Sequence, residues 1–152
     1  MPASSLATTI LLAGIAARED RAQWMVAEGF WELKETDWPV LERLSNAPSN
    51  ITALARALEI TQQATSKAVT DLAERGYVRR VHAPADGRQR LVELTPIGSE
   101  IIREGARWAA EVERRLVEQA GVDDARIVRR MLTAFTAAVE HVAGVGRRSF
   151  GI

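Results

Sequence analysis

The residue types between positions 61 and 70 suggest chemistry more plainly than any other part of the sequence. At helical spacing, one face carries small and mid-sized polar groups: Gln62, Gln63, Ser66, Lys67 and Thr70. Glutamine can pair bidentately with adenine, serine and threonine can bond to bases or phosphates, and lysine reaches guanine or phosphate. A merely solvated helix face is usually richer in Glu and Lys. We therefore predict that this face enters the major groove of duplex DNA, while the inward face consists of Ala64, Ala68, Val69 and Leu72.

A basic loop follows this helix. Residues 61–90 carry six basic and three acidic side chains, whereas residues 1–60 carry five basic and eight acidic ones. Asp86-Gly87 is a turn signal between two β-prone stretches, residues 77–82 and 91–94. Asp86 can accept hydrogen bonds from Arg88 or from loop amides, so that Arg88 and Arg90 could enter a minor groove. The alternative is an ordinary exposed hairpin with a weak internal salt bridge.

Helical periodicity dominates the elements that must position these residues. Ser5, Thr36 and Thr61 are predicted N-caps, and Asn50 or Ser49 caps a further short helix. Pro39 falls in the first turn of the second helix, and Thr95-Pro96 opens a long helix that ends before Gly121. The expected fold class is mainly α with a small β-hairpin. The predicted parts of one domain (1–152) are a winged helix-turn-helix lobe at about 36–95, flanking helices at about 5–29 and 96–142, and a flexible tail at 143–152.

The flanking helices are more apolar than a small lobe can cover. Such faces are usually buried in a partner subunit. We therefore expect a homodimer joined through residues 5–29 and 97–142.

Composition and motifs exclude several other classes of protein. The chain has 152 residues, a formal net charge of zero and no cysteine, which excludes disulfides and thiolate chemistry and suggests the cytoplasm. The apolar run 6–17 is too short to span a bilayer and follows no basic residue, so no membrane association is expected. No H-E-x-x-H, G-x-S-x-G or phosphate-binding glycine loop is present. His82 and His141 are isolated, so we expect no metal, no cofactor and no enzymatic activity.

The segment from Asn50 to Thr95 resembles the winged helix of the MarR family of transcriptional regulators. Ser66-Lys67 stands where that family usually has Thr-Arg, and Gly76-Tyr77-Val78-Arg79-Arg80 enters the wing. Asp86-Gly87-Arg88 matches the family's wing-tip Asp-x-Arg, and Leu94-Thr95-Pro96-Ile97-Gly98 matches its Leu-Thr-x-x-Gly exit. Lys67 departs from the commoner arginine, and Thr70 stands where aspartate is frequent, so base preferences do not carry over.

The resemblance implies a function and a set of site residues. It implies a regulator of transcription that binds a pseudo-palindromic double-stranded operator as a homodimer, namely a repressor released by a small aromatic or phenolic effector. Trp38 and Trp108 would line the effector crevice, although all four tryptophans, with Trp24 and Trp31, also suit core or interface positions. The candidate DNA-binding residues are Thr61, Gln62, Gln63, Thr65, Ser66, Lys67, Thr70, Arg80, Asp86, Arg88 and Arg90. The alternatives are a winged-helix protein-interaction module without DNA binding, or an enzyme that uses none of the motifs named above.

Overall fold

The computed structural model describes residues 5–82 and 90–149, with side chains described as far as residue 139. The helices are α1 (Leu6–Ala27), α2 (Trp38–Asn46), α3 (Ile51–Ala57), α4 (Gln62–Glu74), α5 (Pro96–Ala120) and α6 (Val122–Ser149). A 3-10 turn, Glu35–Asp37, precedes α2, and the strands β1 (Val78–His82) and β2 (Arg90–Leu94) form a hairpin. This mainly helical architecture with one small hairpin confirms the predicted fold class.

The chain divides into two compact units, Met1–Trp108 and Ala109–Ile152. The division falls within α5. The first unit contains the buried core, to which α2, α3, α4 and the hairpin all contribute. The second unit is formed by the remainder of α5 and by α6.

Three of the predicted helix starts are capped as expected. The side chains of Ser5, Asn50 and Thr61 each accept a hydrogen bond from the backbone N–H three residues ahead. Thr36, in contrast, is not a cap, and that prediction is wrong. It lies inside the 3-10 turn, because the Asp37 carboxylate accepts from the Lys34 N–H at 2.8 Å and α2 begins only at Trp38.

The helix-turn-helix is built around a tight connection between α3 and α4. Glu59 adopts a left-handed backbone with φ of 55°, and the Ile60 N–H donates to the Ala55 carbonyl at 3.1 Å. These bonds satisfy the carbonyls at the end of α3 and turn the chain sharply. Leu54 of α3 then packs in the core with Val69 and Leu72 of α4, and all three side chains are fully buried. The packing fixes which face of α4 is left outside.

The hairpin packs against the core at its base. Val78 pairs with Leu94 and His82 with Arg90, and an isolated bridge joins Ser49 to Val92. The buried side chains of Val78 and Val92 face the core. Because Ser49 immediately precedes Asn50, the N-cap of α3, the bridge connects β2 to the helix-turn-helix.

The segment from Leu94 to Gly98 connects the hairpin to α5, and its Thr and Gly each have a structural role there. The Thr95 hydroxyl donates to a carbonyl at the start of the hairpin, Gly76 O at 2.7 Å or Tyr77 O at 3.1 Å, and accepts from the Gly98 N–H at 3.1 Å. A Cβ at position 98 would lie 2.1 Å from the Tyr77 carbonyl oxygen. Only glycine therefore allows α5 to start so close to β1.

Both units leave apolar side chains uncovered. In α1, Leu6, Leu11 and Leu12 are more than half exposed, and only Met25 is buried. In α6 the exposed apolar residues are Val122, Ile127, Val128, Met131, Leu132 and Val139. Within the described residues, no helix is sufficiently long and apolar to cross a membrane.

The C-terminal end differs from the prediction. The sequence predicted that the last helix ends at about Val142 and that residues 143–152 form a flexible tail. The backbone of α6 instead remains helical to Ser149. Glycine at positions 144 and 146 costs only about 1 kcal/mol each in a helix, so it does not stop one that is already formed.

Candidate nucleic-acid interface

The outward face of α4 carries the polar set that the sequence predicted. Gln62, Gln63, Lys67 and Thr70 are exposed, and Ser66 is partly buried beside them. All of these residues except Gln62 line an open groove, whose full lining is Gln63, Ser66, Lys67, Thr70, Asp71 and Glu74. The two acidic groups lie at the C-terminal end of this groove. The N-terminal half of α4 is consequently neutral to basic, which is the half that a polyanion would approach most favourably.

Thr65 does not belong to this face, and its prediction as a DNA contact is wrong. Its side chain is fully buried and its hydroxyl donates to the Thr61 carbonyl at 3.0 Å. Thr65 lies four residues before Val69 and seven before Leu72, so it shares their buried stripe. Ala64, predicted to face inward, is exposed instead, because it is rotated by about 100° from Thr65 around the helix.

Thr70 and Arg80 form a contact between α4 and the wing. The Thr70 hydroxyl donates to the Ser66 carbonyl at 2.9 Å and accepts from the Arg80 guanidinium, also at 2.9 Å. Its only proton is already engaged, so Thr70 presents its methyl group and one lone pair to a ligand. Arg80 is exposed and is held at the edge of the polar face.

Other predicted wing residues lie on the two strands of the hairpin. Arg79 pairs with Glu93 across the strands, with 2.7 Å between Nε and Oε1. Arg90 is exposed and lies opposite His82 in the strand register. The wing-tip candidates Asp86, Gly87 and Arg88 lie outside the described residues.

An ion-pair network at the C-terminal end of α4, buried at Arg75 and Asp37, is the feature that sequence reasoning missed. Arg75 donates from both terminal nitrogens to the Asp37 carboxylate, at 2.7 and 3.0 Å. Arg75 also donates to Asp71 at 2.7 Å, and Lys34 donates to the same Asp71 oxygen at 3.0 Å. Arg75 and Asp37 are 38 positions apart, so no local spacing relates them. An arginine directly before Gly76 was the only available signal.

The charges in this network support one another. The hydrogen bonds that Arg75 donates to the Asp37 carboxylate raise the pKa of Arg75, against the opposing effect of burial, so Arg75 stays charged. The hydrogen bond from Lys34 holds the pKa of Asp71 below its ordinary value, with Arg75 adding to the effect. The side chains of Arg75 and Asp37 are only 12% and 6% exposed. Such buried charges are tolerated because they are paired bidentately.

The structure brings Trp38 and Trp108 together around one cation. The Arg21 guanidinium lies 4.4 Å from the centre of the Trp38 ring and 5.7 Å from that of Trp108. Trp38 is buried, and the Trp108 indole N–H donates to Asp20 at 2.7 Å. Trp31, in contrast, is 71% exposed, so it does not anchor the core.

Helices α1 and α5 carry buried polar atoms that have no hydrogen-bond partner. Among the described residues these atoms are Arg21 Nε, Trp24 Nε1 and Glu104 Oε2. They belong to α1 and α5, which also carry Arg21 and Trp108. Unpartnered buried polar atoms are uncommon in native proteins and mark places where a water or ligand can bind.

Comparison with known proteins supports the same interpretation. The sequence profile of the MarR family matches residues 31–89, which covers α2 to β1. No curated protein is similar enough in sequence to match the chain. RV1404 from Mycobacterium tuberculosis is similar in structure, with 25% identity, a TM-score of 0.75 and coverage of 91% of this chain and 97% of that one.

Two further structures are informative. Reduced MarR from E. coli has 18% identity and a TM-score of 0.70, covering 89% of this chain and 98% of its own, and so shows the shared fold. The transcriptional repressor CouR, solved with a 23-mer DNA duplex, has 25% identity and a TM-score of 0.66, over 87% of this chain and 92% of CouR. The family and these relatives are regulators and not enzymes. Residues 31–89 thus match the MarR family of transcriptional regulators, and the chain as a whole is similar in fold to solved structures that include MarR itself and the repressor CouR.

Proposed function

We propose that this protein binds a pseudo-palindromic double-stranded operator as a homodimer and regulates transcription. In this proposal α4 enters the major groove and the hairpin follows the adjacent minor groove. The observation that carries the proposal is the exposed polar face of α4, in which Gln63 and Lys67 border an open groove. CouR, a repressor bound to duplex DNA, shares the fold over most of this chain.

The uncovered apolar side chains support the homodimer. Leu11 and Leu12 on α1 are 66% and 58% exposed, and Met131 on α6 is 53% exposed. Burial of such side chains stabilises by about 1.5–3 kcal/mol each, so a second copy of the chain gains substantially by covering them. A dimer also presents two copies of α4, and these match two half-sites about one helical turn of DNA apart.

We further propose that the protein is a repressor released by a small aromatic or phenolic effector near Trp38 and Trp108. The contact of both rings with Arg21 supports this assignment, since it places two aromatic surfaces and a cation together. An effector can release DNA only if it binds one state of the dimer more tightly than the other. Tryptophan emission during titration with phenols and aromatic carboxylates measures binding, and loss of DNA affinity at the same concentrations measures release.

The decisive experiment measures DNA binding by fluorescence anisotropy. The probes are a duplex selected from a random-sequence pool by the wild-type protein and a scrambled duplex of equal length. Gln63→Ala should weaken binding to the selected duplex by roughly 5- to 100-fold, as about 1–3 kcal/mol of base discrimination is lost, and should leave the scrambled duplex nearly unaffected. Asn46→Ala removes an exposed amide side chain on α2, outside the helices expected to form the dimer, and is the matched control that should change neither.

Salt dependence provides the second criterion. Affinity should fall steeply between low and moderate salt, because each phosphate contact releases counterions. Selection that yields no preferred duplex, or an affinity that stays flat with salt, would contradict the proposal.

A further inference from the structure

The 3-10 turn Glu35–Asp37 joins two separate sets of charged contacts. At its first residue, Glu35 accepts from Arg21 at 2.6 Å, and Arg21 in turn contacts the Trp38 and Trp108 rings. At its last residue, Asp37 holds Arg75 at the end of α4. The three-residue turn therefore contacts the aromatic cluster through Glu35 and the helix proposed to read DNA through Asp37.

Several contacts converge on Asp37 and Arg75 at the end of α4. Asp37 accepts two bonds from Arg75 and a third from the Lys34 N–H. Arg75 also donates to the Glu32 carbonyl at 2.9 Å, and its guanidinium lies 5.2 Å from the centre of the Tyr77 ring. A planar guanidinium bound in this way is fixed in both position and orientation. Because Arg75 is the C-cap residue of α4, the helix is fixed at that end.

A small tilt of α4 about its C-terminal end produces a large displacement of its N-terminal end. The 13 residues of α4 rise by about 1.5 Å each, giving a length of roughly 20 Å. A tilt of about 5° around the Arg75 end would then displace Gln62 by roughly 1.7 Å. Hydrogen bonds to base edges require donor–acceptor distances within a range of about 0.5 Å. A small change at the Asp37–Arg75 contact would consequently alter the hydrogen bonds that α4 makes with bases, although neither residue contacts DNA in this proposal.

We propose that Asp37 and Arg75 are positioning residues for α4 and that the Glu35–Asp37 turn couples them to Arg21 beside Trp38 and Trp108. This inference rests on the proposed DNA-binding function. It adds an ion-pair route by which a change at the aromatic cluster alters the tilt of α4, and neither end of the route is a DNA contact.

The test compares selected and scrambled duplexes in the same anisotropy assay. Asp37→Asn keeps the shape of the side chain but removes its charge, and we expect at least a tenfold loss for the selected duplex with less than a twofold loss for the scrambled one. Global destabilisation would instead lower both affinities by the same factor, because it reduces only the folded fraction. The control is Glu42→Gln, which removes the charge of an exposed side chain on α2, outside the helices expected to form the dimer, and should leave both affinities unchanged.

Each outcome decides a different point. If the wild-type protein selects no duplex, the proposed function fails. If it does select one and Asp37→Asn keeps the ratio of the two affinities within twofold, the positioning role is wrong and the proposed function stands. Should Asp37→Asn not fold, Arg75→Lys, which keeps the charge but not the fork of two bonds, decides the question by the same ratio.

Coupling through the turn is tested by a double-mutant cycle. Glu35→Gln alone removes the ion pair with Arg21 and should weaken binding to the selected duplex about threefold. In the Asp37→Asn background the same change should have no further effect, because the route is already broken at its other end. A further threefold loss in that background would show that the two ends act independently and would overturn the coupling.

Discussion

Replacing Gly98 by alanine should destabilise the first unit at the point where α5 leaves the hairpin. The added Cβ would lie 2.1 Å from the Tyr77 carbonyl oxygen, 3.1 Å from its carbon and 3.2 Å from Leu94 Cδ2. Backbone atoms cannot rotate away as a flexible side chain can, so either β1 or the first turn of α5 must move. Overpacking of this kind costs about 1–3 kcal/mol and occasionally more.

Movement of the Tyr77 carbonyl has a second cost. That oxygen accepts the Thr95 N–H at 3.1 Å and lies at the same distance from the Thr95 hydroxyl, and bonds of this kind contribute about 0.5–1.5 kcal/mol each. The higher helix propensity of alanine offsets about 1 kcal/mol. The expected net loss in the free energy of unfolding is about 2–4 kcal/mol, with weaker DNA binding because the base of the wing is displaced.

Urea unfolding followed by circular dichroism, at one fixed protein concentration, measures this loss. Ser99→Ala is the matched control, since it changes the next residue of the same helical turn and should alter the stability by less than about 0.5 kcal/mol. A Gly98→Ala protein as stable as this control would refute the close approach of α5 to Tyr77.

Three further predictions follow from particular contacts. Thr70→Ser should retain the selectivity of DNA binding better than Thr70→Val, because serine keeps the oxygen that accepts from Arg80 and valine removes it; equal selectivity of the two variants in anisotropy would show that this contact does not position α4. Hydrogen bonds from Arg114 and Arg115 lower the pKa of Glu111 to about 2, from an ordinary value of 4.5. Its stabilising contribution is therefore complete above pH 4.5 and is lost as the pH falls towards 2, so Glu111→Gln should flatten the acid limb of a stability–pH curve, and an unchanged limb would contradict this. The unfolding midpoint should rise with protein concentration if the exposed apolar faces join two copies, whereas a constant midpoint and a monomeric sedimentation mass would contradict the homodimer.

Charged hydrogen bonds hold α4 at two separate places. Thr70 and Arg80 fix the polar face of α4 against the hairpin, and Arg75 fixes its far end against the turn before α2. The helix is thus held from two sides by charged hydrogen bonds. A regulator built in this way can change its affinity for DNA through small shifts at either contact, without any rearrangement of the core.

Local signals in the sequence were sufficient for most of the secondary structure. Caps such as Asn50 and Thr61 satisfy the first N–H groups of their own helices, and Gly76 and Gly121 provide the positive φ that ends a helix. These effects act within four or five residues of the chain, so spacing alone predicts them. The same periodicity identified the exposed positions of Gln63 and Lys67.

Tertiary packing decided the rest. Thr65 looks like part of a polar face by residue type, yet it is buried, because the direction in which α4 packs is set by α3 and the hairpin and because the Thr61 carbonyl satisfies its hydroxyl. The pairing of Asp37 with Arg75 and the meeting of Trp38 and Trp108 at Arg21 join residues that are far apart in the chain. Contacts of that kind depend on how whole elements are placed against one another, and no local spacing or propensity encodes that placement.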